Sequence, residues 1–202
     1  VGHLVQGNRI GTDASGFQPL GNRRFGIDLD DLHTSGNTIG GTVEGAANLI
    51  AFNSAVGIAT SGTNTRITGN RIYSNGGLGI DWDVDGPDTN DPCDWDGRQN
   101  YPVLITTTMD GGNVTITGTL DSAPSTTLTL EFFSSQACDP SGYGEGQFFL
   151  GETTVATGPD CVGRFAVTVP ARGKWLAATA TDPDGNTSEF SACTLMPRYK
   201  TA

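Results

Sequence analysis

Apolar positions in residues 1–92 recur in two short units at a fixed spacing. A small residue, Asn, any residue and Ile form the first unit, at 7–10, 47–50 and 69–72. An apolar residue, Gly and Ile form the second, at 25–27, 56–58 and 78–80. Asn48 lies 22 residues before Asn70, and Gly57 lies 22 before Gly79. Such a period predicts a solenoid of short β-coils, with Asn and Gly at the corners and each Ile stacked inward on the next.

The apolar pattern changes after residue 101 to strict alternation with polar residues. Val114, Ile116 and Leu120 alternate with Thr and Asn, and Leu128, Leu130 and Phe132 alternate with Thr and Glu. Alternation of this kind predicts strands with one buried face. We expect about seven antiparallel strands arranged as an immunoglobulin-like sandwich. They lie near 103–108, 113–120, 127–134, 147–155, 164–169, 174–181 and 188–193.

The predicted fold is therefore all-β, with about three to four coils of parallel β-helix followed by an immunoglobulin-like antiparallel β-sandwich. We divide the chain into the coils at 1–92, an acidic junction at 93–101, the sandwich at 102–196 and a tail at 197–202. Val5–Ile10 parallels Ile67–Ile72 closely, so the chain is expected to be a piece of a longer protein with earlier coils. An uncapped coil edge invites pairing between chains, which predicts a possible homodimer.

Three segments resemble secreted bacterial proteins with right-handed parallel β-helix repeats. Asn37–Gly41 and the Gly-Asn-x-Ile units resemble their coils, and Asn90–Asp96 followed by Gln99–Leu104 resembles the hand-over to a C-terminal sandwich. Ala180–Ser191 resembles the closing strands of that sandwich. Cys93 and the short Gly97-Arg98 linker depart from the usual hand-over. The resemblance implies a secreted or cell-surface protein, and the scaffold hosts lyases, hydrolases, adhesins and stalks alike.

The composition and net charge exclude one fold class and two classes of binding partner. The chain carries 29 glycines and a net charge of −11. The many glycines, with abundant Asn and Thr, exclude a helical bundle. The negative charge argues against nucleic acid and anionic membranes, which need a basic surface. An extracellular polysaccharide or a surface protein is the expected partner.

Four cysteines predict two disulfides and an oxidising compartment, because they lack the spacing of a zinc site and have no histidine near them. Three pairings are possible. We favour Cys138–Cys161, which would join two loops of one sheet region, and Cys93–Cys193, which would tie the domain's entrance to its last strand.

Seven aspartates lie between residues 81 and 96 and predict a calcium site. Asp81, Asp83, Asp85 and Gly86 follow the first half of an EF-hand loop. Pro92 stands where the bidentate Glu should be, so a full EF-hand is excluded. Calcium in another geometry is expected to fix the domain junction, and a solvated acidic loop is the alternative. The predicted ligands are Asp81, Asp83, Asp85, Asp88, Asp91, Asp94 and Asp96.

A weaker calcium candidate comprises Asp182, Asp184, Asn186 and Glu189. Asp-x-Asp-Gly-Asn is also an ordinary turn sequence, because Asp and Asn side chains hydrogen-bond their own backbone there.

Catalysis is the alternative function. Asp28, Asp30 and Asp31, with His33 nearby, could supply the paired carboxylates of a glycoside hydrolase. A coil arginine could serve as the base of a polysaccharide lyase. The chain lacks the Gly-His-Gly and Arg-x-Lys elements of polygalacturonase-like hydrolases. We therefore expect a structural or adhesion module, with an enzyme fragment or a calcium-assisted carbohydrate-binding module as alternatives.

The segment from Ser141 to Gln147 carries three glycines, Gly142, Gly144 and Gly146. This spacing predicts a mobile loop, where binding residues often lie. Phe148, which follows it, is expected to pack in the core, and a sugar-binding aromatic is the alternative.

Overall fold

The computed structural model describes residues 2–29 and 35–197. Its first part is three coils, each made of three short strands separated by turns. The first coil contains β1 (Leu4–Val5), β2 (Arg9–Ile10) and β3 (Ile27–Leu29). The second contains β4 (Thr38–Gly40), β5 (Leu49–Ala51) and β6 (Ile58–Thr60). The third contains β7 (Arg66–Thr68), β8 (Arg71–Tyr73) and β9 (Ile80–Trp82).

Equivalent strands of the three coils pair in parallel and form three sheets, β1-β4-β7, β2-β5-β8 and β3-β6-β9. The register places Ile10, Ile50 and Ile72 side by side, and Ile27, Ile58 and Ile80 likewise. Isoleucines of all three sheets meet in one buried cluster inside the coils. The inward stacking predicted from the repeat is confirmed.

Asparagines form two ladders along the coils, one made by the asparagine of the repeat unit and the other by Asn53 and Asn75. Asn8 and Asn48 each donate their backbone N–H to the side-chain oxygen of the next asparagine, Asn48 and Asn70, at 3.0 and 3.1 Å. Asn53 donates to Asn75 in the same way at 3.2 Å. The ladders satisfy turn N–H groups that the strands leave unpaired, which explains why asparagine recurs in a buried position.

The second part is a sandwich of two antiparallel sheets. One sheet has the order β10-β11-β14 and the other has the order β13-β12-β15-β16. This distribution of seven strands over two sheets is that of an immunoglobulin-like sandwich. The strands are β10 (Val103–Asp110), β11 (Asn113–Asp121), β12 (Thr127–Ser135), β13 (Phe148–Ala156), β14 (Val162–Pro170), β15 (Trp175–Thr181) and β16 (Thr194–Leu195).

The sandwich core lies between these sheets, where Ile116 and Leu120 of one sheet meet Leu130 and Phe132 of the other. The Phe132 ring meets that of Phe165 edge-on at 5.6 Å between centroids. The all-β fold, with parallel coils followed by a sandwich, is thus confirmed. The seventh strand is displaced from the predicted 188–193 to Thr194–Leu195. In the predicted segment, Ser188 and Ser191 still bond to β15, while Glu189 between them bonds to the coils.

Two disulfides join the four cysteines, but not in the predicted pairs. Cys93 is bonded to Cys161 and Cys138 to Cys193. The favoured pairs Cys138–Cys161 and Cys93–Cys193 are wrong. Cys93, in the 3₁₀ turn Pro92–Asp94, is thereby tied to the loop before β14, and Cys138 to the segment before β16. The pairing follows how the two sheets stack, and spacing along the chain does not contain that information.

Candidate functional site

The sandwich docks on the end of the third coil. Strands β7, β8 and β9 each pair with the second coil on one side only. A fourth coil would be needed to satisfy the backbone groups on their other side. The sandwich covers this end, and three of its glutamates, Glu131, Glu145 and Glu189, contact one sheet of the coils each.

Glu131 of β12 contacts the first sheet just after β7. Its Oε1 accepts a hydrogen bond from the Thr68 hydroxyl at 2.6 Å, and both carboxylate oxygens accept from the Gly69 N–H at 3.1 Å. The side chain is 1% exposed. This burial raises the pKa of Glu131 to about 7, although the bonds from Thr68 and Gly69 act against the rise.

Glu145 contacts the second sheet beyond β8 and ends the ladder of Asn53 and Asn75. Its Oε2 accepts from the Ser74 N–H at 2.7 Å, and its Oε1 accepts from the Asn75 N–H at 3.0 Å. The next residue, Gly146, exchanges two backbone hydrogen bonds with Ile72 at 2.8 and 2.9 Å. The sandwich therefore continues both the sheet and the ladder for one further step. Burial raises the pKa of Glu145.

Glu189 contacts the third sheet at the end of β9. Its Oε1 accepts from the Trp82 N–H at 3.0 Å, and its Oε2 accepts from the Asp88 N–H at 2.9 Å. Burial raises the pKa of Glu189 to about 8, with the nearby Asp88 and Asp81 carboxylates adding to the rise. The neighbouring Thr187 accepts from the Ile67 N–H through its hydroxyl, at 3.0 Å.

Apolar packing holds the same junction from within. Ile67, Ile72 and Ile80 of the third coil belong to one buried cluster with Phe133, Ala177 and Phe190 of the sandwich. The Phe133 and Phe190 rings meet edge-on at 5.3 Å. The coils and the sandwich therefore share a core, and the glutamates surround it.

Sequence reasoning missed all three glutamates as a set. Glu131 could have been found, since it is a lone charge among Leu130, Phe132 and Phe133. Glu145 was hidden because its segment was predicted to be a mobile loop, whereas the structure buries Gly144, Glu145 and Gly146 against the coils. Gly144 and Gly146 allow close approach here: a Cβ on Gly144 would overlap the Cβ of Ala177, and one on Gly146 would lie 2.7 Å from the Phe133 ring.

The structure divides the seven aspartates of the predicted calcium site. Asp83, Asp85 and Asp88 surround Arg98, whose guanidinium forms ion pairs with all three. Arg98 therefore partly compensates the repulsion among these closely spaced carboxylates. Asp81 is 4% exposed, and its Oδ1 has no hydrogen-bond partner among the described residues. Burial raises the pKa of Asp81.

The other three aspartates, Asp91, Asp94 and Asp96, gather at the domain junction. One oxygen from each lies within 4.8 Å of the others. Burial raises the pKa of Asp94 to about 6, and the Asp91 and Asp96 carboxylates add to the rise. Asp91 Oδ1 is buried and has no partner among the described residues. An all-oxygen set with an orphaned buried oxygen fits a hard cation such as Ca²⁺.

The weaker acidic cluster forms a turn. Asp182 Oδ1 accepts from the Gly185 and Asn186 N–H groups at 2.7 and 2.8 Å. Its Oδ2 accepts from the Asn186 side-chain amide at 2.7 Å. These bonds use both carboxylate oxygens of Asp182, as the turn alternative requires.

The candidate catalytic carboxylates cannot be assembled from the described residues. Asp28 is exposed on β3, opposite Ala59 of the next coil. Asp30, Asp31 and His33 lie outside the described residues. Their role as a hydrolase pair stays a prediction.

A scan of protein-family models finds none that matches this chain, and a search of curated proteins finds no match either. Within the described ranges, residues 2–29 and 35–197, no helix has the length and apolar character to cross a bilayer. What the protein does must therefore be inferred from its own residues.

Proposed function

We propose that this chain is a structural module of an extracellular protein, in which the sandwich caps the end of a parallel β-helix. The observation that carries the proposal is the set of three buried glutamates, one for each sheet of the third coil. An open coil end would expose unpaired backbone to other chains. A domain that occupies this end protects the coils and can hold a surface structure in a fixed direction.

An extracellular setting is supported by the two disulfides, because such bonds persist in oxidising compartments. Both lie at or beside the junction, where they hold segments that contact the coils. Adhesion or presentation at a bacterial surface follows from the resemblance of the sequence. Homodimer formation through the first coil stays a prediction that light scattering can test.

Hydrogen exchange tests the cap directly. In a Glu145→Ala variant, we expect faster exchange of the Ser74 and Asn75 amides, because their acceptor is lost. A buried hydrogen bond to a charged group is worth about 1.5–3 kcal/mol, so exchange should accelerate at least tenfold. Exposed Glu152 on the neighbouring strand β13 supplies the matched control, Glu152→Ala. Unchanged exchange at Ser74 and Asn75 in Glu145→Ala would contradict the cap.

We further propose that Ca²⁺ binds Asp91, Asp94 and Asp96 and stiffens the junction. The support is the convergence of their oxygens and the orphaned Asp91 Oδ1. Trp95 is 90% exposed between two of these ligands, which makes it a sensitiser for Tb³⁺ luminescence. We expect Tb³⁺ emission on excitation of tryptophan and its displacement by Ca²⁺.

Two variants test which aspartates bind the ion. Asp94→Asn should abolish the Tb³⁺ signal, because it removes one of the three converging negative charges. Asp85→Asn, at an exposed aspartate that faces Arg98, should keep the signal. Loss of the signal in Asp85→Asn alone would return the site to the Asp81–Asp88 segment.

A further inference from the structure

A shallow groove runs along the outer face of the sheet β2-β5-β8 and crosses onto the sandwich. Its coil part is lined by Arg9, Leu49 and Arg71. Its sandwich part is lined by Arg71 again, with Phe148 and Arg172. Since Arg71 lines both parts, they form one continuous surface. We call it the arginine groove.

Strand register creates the coil part of the groove. Arg9 pairs with Leu49, and Leu49 pairs with Arg71. Because side chains alternate along a strand, these three point outward while the adjacent isoleucines point inward. Arg9 and Arg71 are two strands apart, so their backbones are separated by roughly 10 Å.

The three arginines carry uncompensated charge in a strongly acidic protein. Among the described residues, Arg98 forms ion pairs with aspartates, whereas Arg9, Arg71 and Arg172 form none. Glu44 is the one acidic residue that lines either part. The net charge of the chain is −11, so three exposed arginines in one groove form a positively charged patch on a negatively charged protein.

Two of the guanidinium groups are held in place. Arg172 lies over the Phe148 ring, 3.7 Å from its centroid. Arg71 donates its Nε to the Gln147 carbonyl at 3.3 Å, which leaves its terminal nitrogens free. A guanidinium that is already oriented loses less entropy when it binds a carboxylate or sulfate. Phe148 is thus a partly exposed ring that supports an arginine, and not a core residue as predicted.

We infer that the arginine groove binds an anionic polysaccharide, such as a polyuronate, laid along the axis of the coils. Apolar Leu49 lies between Arg9 and Arg71 and can contact the face of a sugar ring, while the arginines on either side pair with carboxylates of the polymer. A nucleic acid carries one charge per roughly 1.7 Å of duplex, far denser than three arginines can meet. The acidic remainder of the surface would repel it.

This inference rests on the proposed cap, since the docked sandwich is what brings Phe148 and Arg172 beside Arg71. Titration calorimetry with oligogalacturonate is the test, with the methyl-esterified neutral oligomer as the matched ligand. We expect binding of the charged oligomer that weakens with salt, and no binding of the neutral one.

An Arg71→Gln variant should weaken this binding several-fold and reduce its salt dependence, because it removes one of the three positive charges of the groove. Arg164→Gln, at an exposed arginine on β14, should bind as wild type. Equal binding of the neutral oligomer, tighter binding of single-stranded DNA, or wild-type affinity in Arg71→Gln would each overturn the inference.

The cap and the arginine groove can be refuted independently of each other. If no oligomer binds while Glu145→Ala still loses amide protection, the groove is refuted and the cap stands. If the oligomer binds through Arg71 while Glu145→Ala keeps its protection, the cap is refuted. An unchanged unfolding midpoint in Arg71→Gln shows that lost binding is not lost folding.

Discussion

Asn75 and Glu145 accept the same kind of hydrogen bond at successive steps along the coil axis. Asn75 Oδ1 accepts from the Asn53 backbone N–H at 3.2 Å and from its side-chain amide at 2.9 Å. Glu145 Oε1 accepts from the same two groups of Asn75, at 3.0 and 3.3 Å. A glutamate can end the ladder because its carboxylate accepts hydrogen bonds and, unlike the asparagine amide, has no side-chain N–H groups that need an acceptor.

Gly144 lets the loop that carries Glu145 pack closely against Ala177, because it has no side chain. We expect Gly144→Ala to destabilise the protein by about 1–3 kcal/mol, because the added methyl would overlap Ala177 and force the loop that carries Glu145 away from the coils. Gly77→Ala is the control, since its Cβ would meet nothing closer than 3.4 Å. Urea unfolding of both variants measures the difference. Equal stability of the two would show that the loop adapts freely.

The capping elements give the fold a pH dependence. Glu189 ionises near 4.5 when unfolded but keeps its proton to about pH 8 when folded, because the burial disfavours its charge. The folded state therefore binds more protons in between, and stability falls as the pH rises through this window. The contribution is fully present below pH 4.5. Glu131, with a pKa of about 7, acts in the same direction.

A Glu189→Gln variant tests whether Glu189 causes this pH dependence of stability. The amide cannot ionise, so we expect a shallower fall in unfolding free energy between pH 4.5 and 8 than in the wild type. It also keeps only one acceptor for the two N–H groups, so it should be less stable at the acidic end. Exposed Glu44, on the coils, supplies the control variant Glu44→Gln, with the slope of the wild type. Stability that rises with pH across this window in the wild type would contradict the assignment.

The whole molecule should unfold as one unit. Coils and sandwich share the cluster of Ile67, Ile72 and Ile80 with Phe133 and Phe190, so neither can open its end without exposing the other. Phe165→Ala, which changes only the sandwich core, should cost about 3–5 kcal/mol. We expect coil amides such as those of Ile50 and Ile58 to lose the same protection from hydrogen exchange.

Independent unfolding would give a different pattern. Coil amides would keep wild-type protection in Phe165→Ala while sandwich amides lost it. The two parts would then be separate cooperative units, and the shared cluster would be a weak contact between them.

Local pattern was enough for most of the fold. The period of the Asn and Ile units defined the coils, and alternation found six of the seven sandwich strands close to their observed bounds. Both signals are short-range, because corner residues and inward side chains recur at the spacing of the backbone itself. The seventh strand was misplaced because Ser188 and Ser191 do bond to β15, whereas the regular ladder forms further along at Thr194–Leu195.

The sequence by itself determined the coils, the sandwich, the presence of two disulfides and the gathering of acidic residues at the junction. Only the tertiary structure decided which cysteines pair, which aspartates face Arg98, and that three glutamates close one coil. These features join residues far apart in the chain: Glu189 meets Trp82 across 107 positions. Their partners depend on how two separately patterned units dock, and a pattern confined to either unit carries no record of the other.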